Sequence, residues 1–193
     1  MRTTATFGPV LLALGVAIGA CSDATGPEPR QPGQLNIVRL ASTAPPLLAN
    51  SVTFTACRGS GVEGRLFYDN GSGGEGEEFA KLKIDSNTLL RRPDGTLFGP
   101  DECVDITMSV PDPTKLEIEL QPAGLVFNAA KPAELKIEYA EAEGITDDIE
   151  AQLAIWRQES PGQPYTRLGT LILDDLDEAE AELLGFSRYA LSY

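Results

Sequence analysis

Between Lys115 and Tyr139 the chain twice alternates apolar and charged residues. Leu116, Ile118 and Leu120 are interleaved with Glu117 and Glu119, and Leu135, Ile137 and Tyr139 with Glu134, Lys136 and Glu138. Successive side chains of an extended chain point to opposite faces, so each run reads as a strand with one apolar and one charged face. Gln121-Pro122-Ala123-Gly124 breaks the chain between them. A lone hairpin of this kind is marginal in water, so the two apolar faces demand further strands and a second layer.

The rest of the chain supplies those strands. Ser51–Cys57 sets Val52, Phe54 and Ala56 against Thr53 and Thr55; Gly64–Tyr68 and Phe79–Ile84 read as two more. In Cys103–Val110, Val104, Ile106 and Met108 share a face. Ala151–Gln158 places Leu153 and Ile155 on one side and Ala154 and Trp156 on the other, with Trp156 expected in or near the core. Tyr165–Leu173, with a bend at Gly169, and Phe186–Tyr193 complete the set. Asp174–Leu184 suits helix by composition but alternates Glu178, Glu180 and Glu182 with Ala179, Ala181 and Leu183, and is read as strand. Asp69–Glu78 is Gly-rich and acidic; its spacing fits neither an EF-hand nor the nonapeptide calcium repeat, so it is read as a mobile loop. Roughly eight to ten short strands without a long helix predict an all-β fold: a two-sheet antiparallel sandwich of immunoglobulin-like architecture.

The N-terminus carries an address. Met1-Arg2 is followed by an uncharged apolar run from Phe7 to Ala20, too short to span a membrane as a stop-transfer helix. It ends in Ile18-Gly19-Ala20-Cys21, which resembles a bacterial lipobox; that resemblance implies acylation of Cys21 and stable anchoring by several acyl chains. Ser22 after the cysteine implies the outer rather than the inner membrane. The expected organisation is a signal peptide over 1–20, a flexible tether over 21–45, rich in Pro, Gly and charge, and a folded domain over 46–193. Within the tether, Leu35–Leu40 is open to two readings, a first strand or a docking patch.

With 29 Asp+Glu against 15 Lys+Arg, the formal net charge is −14, which repels nucleic acid and anionic headgroups and sets nucleic-acid binding aside. The chain contains no histidine, so a Ser-His-Asp or Cys-His device is impossible. No Gly-rich phosphate loop follows a strand and opens a helix. With Cys21 lipidated, Cys57 and Cys103 remain as an even pair outside the cytoplasm, which predicts a disulfide; two thiols without histidine make a poor zinc site. No set of residues calls for a metal or cofactor.

Three segments together resemble the ZU-five domain, named after zonula occludens proteins and netrin receptors. They are Gly95-Thr96-Leu97 with Asp105-Ile106-Thr107-Met108; Pro122-Ala123-Gly124-Leu125-Val126-Phe127 with Lys131-Pro132-Ala133-Glu134-Leu135; and Leu153-Ala154-Ile155-Trp156 with Gly185-Phe186-Ser187-Arg188-Tyr189-Ala190. The resemblance covers roughly residues 50–193 and implies a β-sandwich engaged in protein–protein contact. One branch of that family cuts its own backbone at His-Phe-Ser. Here Phe186-Ser187 is present, but Gly185 stands where that branch has histidine, so self-cleavage is not expected.

The functional expectation is a non-enzymatic, lipid-anchored envelope protein whose sandwich binds a protein partner or serves as a structural module. The alternative is a small exported carboxylate-based hydrolase or a carbohydrate-binding sandwich. A sugar-binding face would draw on Tyr165, Tyr189 and Tyr193; an enzyme would bring two acids together in a pocket.

Overall fold

A computed structural model describes residues 28–193. The signal segment and Cys21 lie outside the described residues. Among the described residues thirteen strands follow one another: β1 Ser51–Cys57, β2 Val62–Asp69, β3 Glu75–Ile84, β4 Leu89–Arg91, β5 Cys103–Ser109, β6 Glu117–Gln121, β7 Val126–Phe127, β8 Ala133–Glu138, β9 Ala154–Gln158, β10 Tyr165–Arg167, β11 Thr170–Leu173, β12 Glu178–Leu183 and β13 Arg188–Ser192. One helical turn, α1 Asp147–Glu150, precedes β9. Among the described residues no helix is long and apolar enough to cross a membrane.

The strands form two antiparallel sheets. One has the order β1-β5-β6-β13-β9-β10, the other β11-β12-β8-β3-β2, and β4 pairs with β7 in a small ribbon. The alternating runs lie where their pattern demands. Leu116, Ile118 and Leu120 from β6 and its entry, and Leu135, Ile137 and Tyr139 from β8 and its exit, are all buried. They meet Phe79, Leu82, Ile106, Met108, Leu183 and Tyr189 in one core between the sheets. The chain passes from one sheet to the other at Leu168-Gly169. β10 pairs with β9, whereas β11 pairs with β12, so the bend expected at Gly169 separates two strands of different layers.

Three local expectations change. The loop read over Asp69–Glu78 is shorter, because β3 begins at Glu75; the Asp69 carboxylate accepts from the amides of Gly71 and Gly73, and Asn70 from Ser72 and Gly74. Residues 30–45, expected as the second half of a tether, are packed on the sandwich, as is Leu47 at the expected start of the domain. Arg30 exchanges both backbone bonds with Tyr165 at the β10 edge, Val38 is buried in the core, and Leu47 bridges to Tyr68. Domain packing therefore begins before residue 46. The third change concerns Glu117, which alternation placed in solvent. It is only 7% exposed, because the N-terminal strap covers that side of the six-stranded sheet. Under the strap Trp156, Ala154, Tyr165 and Ala190 form a second small core with Leu35 and Ile37, and the Arg30 guanidinium lies 4.9 Å from the centroid of the Trp156 ring.

Candidate functional site: an acidic groove on the five-stranded sheet

The outer face of β2, β3, β8 and β12 is a grid of charge fixed by register. Across it, Arg65 opposes Lys81, Lys81 opposes Lys136, and Lys136 opposes Glu180, so three cations stand side by side. One step along the strands lies an acidic row in which Glu178 opposes Glu138 directly, with Glu78 beyond. Like charges directly opposite one another destabilise a sheet, so pairing runs between rows instead. Arg65 binds Glu78 at 2.9 Å and Glu63 at 2.6 Å, Lys81 lies 3.9 Å from Glu78, and Lys136 bridges Glu178 and Glu180. Burial works against the Lys136 charge, but the hydrogen bonds to Glu178 and Glu180 outweigh it and hold the ammonium above its usual range.

Glu138 forms no ion pair of its own. Partial burial, then the neighbouring charges of Glu178 and Glu78, push its carboxyl up to about 7. Around Glu138 the end of the sheet opens into a groove of about 450 Å³, framed by Glu77, Glu78, Glu141, Asp175 and Asp177. Tyr68 lies beneath: its ring packs edge-on against Phe79 at 5.5 Å, and its hydroxyl is buried without a hydrogen-bond partner. Burial and the charges of Glu141, Glu138 and Glu77 raise the Tyr68 phenol. Among the described residues no three acids converge as metal ligands would.

Cys57 and Cys103, paired in register at the ends of β1 and β5, form the expected disulfide. Ser187 is buried; Arg157 Nε donates to its hydroxyl at 2.9 Å, and the hydroxyl lies 3.3 Å from Glu159 Oε2. Gly185 fits tightly there. A Cβ at that position would lie 2.5 Å from the Leu125 carbonyl oxygen, so this backbone admits no histidine without moving. Of the tyrosines considered for a sugar-binding face, Tyr165 and Tyr189 are buried and Tyr193 is half-buried. Tyr165 hydroxyl instead donates to Glu117 at 3.0 Å, while Arg188 reaches Glu117 at 3.7 Å and Glu119 at 2.6 Å.

Sequence reasoning singled out none of the groove residues as a site. The alternation of β8 and β12 placed Glu138 and Glu178 on charged faces, but their opposition depends on register between strands forty residues apart.

Comparison with family models, with curated proteins and with solved structures found no match.

Proposed function

We propose that this chain is a lipid-anchored envelope protein whose sandwich is a non-enzymatic protein-interaction or structural module, and that the outer face of the five-stranded sheet is its working surface. The observation that carries this reading is the unequal treatment of the two sheets. The six-stranded sheet has part of its outer face, around Trp156, Tyr165 and Ala190, closed by the chain's own N-terminal strap. The five-stranded sheet leaves its charged grid and groove open, with the short edge strand β11 beside them and Leu171 exposed on it. The formed disulfide suits an oxidising compartment, and the lipobox-like Ile18-Gly19-Ala20-Cys21 supplies the anchor. The ZU-five-like segments add the expectation of protein contact.

The test places a photo-cross-linking residue at Glu180 on the open face and, separately, at Arg167 on the strapped side of the full chain in its own envelope. A discrete adduct from Glu180 and none from Arg167 is expected. Equal, diffuse labelling from both positions refutes the assignment of the face. For the anchor, a clickable fatty acid labels the native chain and not Cys21→Ala; equal labelling refutes it.

A second reading, the carboxylate hydrolase, draws on one observation: Glu138, pushed up to about 7, stands beside Glu178 at a groove. Glycoside hydrolysis flanks the scissile bond with its two carboxyls, whereas Glu138 and Glu178 stand directly opposite each other on adjacent strands of one sheet face. That geometry favours binding over catalysis.

A further inference from the structure

The groove has acceptors in excess and no donor of its own that reaches them. Six carboxylates line it, from Glu77, Glu78, Glu138, Glu141, Asp175 and Asp177, and no lysine or arginine does. Of the six, Glu78 is paired with Arg65 and lies 3.9 Å from Lys81, and Lys136 is taken by Glu178 and Glu180; among the described residues the other five carboxylates have no ion-pair partner. Tyr68 is an independent sign that something is missing. It is 3% exposed, its ring is fixed against Phe79, and its hydroxyl has no partner. A buried polar group left unpaired forfeits its hydration, so a ligand that completes it gains that contact without ordering a side chain.

The shape of the acid distribution selects the ligand. A single metal ion wants three or more carboxylates converging on one point, and among the described residues no such group exists. The acids are instead strung out. Past Tyr68, Glu77 and Glu141 the groove continues into a second depression of about 540 Å³ that runs to Asp69, Pro45 and Pro46. An extended cation with several charges on an apolar chain would meet carboxylates along its length and lay its methylenes on the prolines. We propose that this groove binds a flexible alkyl chain bearing several ammonium groups, with the Tyr68 hydroxyl accepting one ammonium N–H. Two sources carry that chemistry, a free polyamine and the lysine side chains of a basic segment. This names the ligand chemistry of the face assigned above and rests on that assignment.

The experiment is calorimetric titration of the full chain in detergent with spermidine, with pentalysine and with calcium chloride as separate probes. Saturable binding of at least one amine probe is expected, weakening as salt rises. Tighter spermidine binding identifies a free polyamine as the ligand, and tighter pentalysine binding a basic segment. Tyr68→Phe removes only the unpartnered hydroxyl. It is expected to weaken amine binding roughly five-fold, while thermal stability without ligand stays level or rises. Asp175→Asn, on the surface turn at the groove mouth, is a second variant and is also expected to weaken it. Glu182→Gln, an exposed acid of the same sheet outside the groove, leaves affinity unchanged. The proposal is overturned if neither amine binds, if calcium binds more tightly than both, or if Glu182→Gln weakens binding as much as Tyr68→Phe, which would mean bulk attraction to an acidic surface. If the amines fail while Glu180 still gives a discrete adduct in the envelope, the ligand chemistry falls and the interaction face stands. If both fail, the face falls with it.

Discussion

Replacing Glu138 by glutamine is expected to stabilise the protein above neutral pH and to leave it nearly unchanged in mild acid. The cause is the position of this carboxyl in the acidic row. Glu178 faces it from β12 and Glu78 from β3, and among the described residues the cation acting on it is Lys136 on its own strand, already bound to Glu178 and Glu180. Its folded-state pKa of about 7 lies above the 4.5 of an ordinary glutamate. Between those values the folded chain holds a proton that the unfolded chain has released, so stability falls as pH rises through this window and the full cost is present above it. Taken whole, that displacement equals about 3 kcal/mol. The carboxyl is still half open to water, and solvent screening reduces the figure to about 1 kcal/mol. Glutamine keeps the shape and removes the charge. The assay is urea denaturation of native protein and Glu138→Gln at about pH 5 and about pH 8, with the difference between the two proteins read at each pH so that groups common to both cancel. A gain of about 1 kcal/mol for the variant at about pH 8 and near zero at about pH 5 is expected. An equal gain at both values, or a loss at the higher one, would refute the account of an uncompensated carboxyl.

Other substitutions probe the remaining features. Breaking the Cys57–Cys103 bridge with serine at both positions opens a loop of sequence separation 46 and is expected to cost about 4 kcal/mol by the chain-entropy estimate, read from denaturation midpoints. Gly185→Ala forces a methyl to 2.5 Å from the Leu125 carbonyl oxygen and is expected to lower the thermal midpoint by several degrees, about 2 kcal/mol, through displacement of backbone rather than loss of any contact. Arg30→Pro removes the N–H that pairs with the Tyr165 carbonyl and the guanidinium over Trp156. A red-shifted Trp156 emission and faster amide exchange at Tyr165 are expected, whereas unchanged emission would mean that the strap is held by Leu35 and Ile37 alone.

The layered fold was readable because its signal is local. Leu116, Ile118, Leu120, Leu135 and Ile137 declare their faces through their immediate neighbours, and all are buried together. Asp174–Leu184 was ambiguous by composition, yet the alternation from Glu178 to Leu183 marked what is now seen as β12, while Asp174–Leu176, read as strand with it, forms a 3-10 turn. What the sequence hid is long-range. Glu117 looks like any outward-facing acid of an amphipathic strand, and only the return of residues 30–37 across the sheet buries it beside Tyr165. The segment that buries it is mostly polar, with two apolar side chains that pack under it, Leu35 and Ile37, too few to produce a period. The groove was hidden for the same reason. Glu138, Glu178 and Glu78 become neighbours through the pairing of β8 with β12 and of β3 with β8, and Tyr68, in core register on β2, gives no sign that its hydroxyl ends unpaired.

The docking of the N-terminal strap has a geometric consequence for a chain acylated at Cys21. Among the described residues pairing begins at Arg30, which eight residues separate from Cys21; the nine Cα-to-Cα steps at full extension reach no farther than about 32 Å. Such a leash is comparable to one membrane thickness. Under the proposed acylation of Cys21, it would keep the β10 edge close to the headgroups and limit the domain to pivoting about that corner.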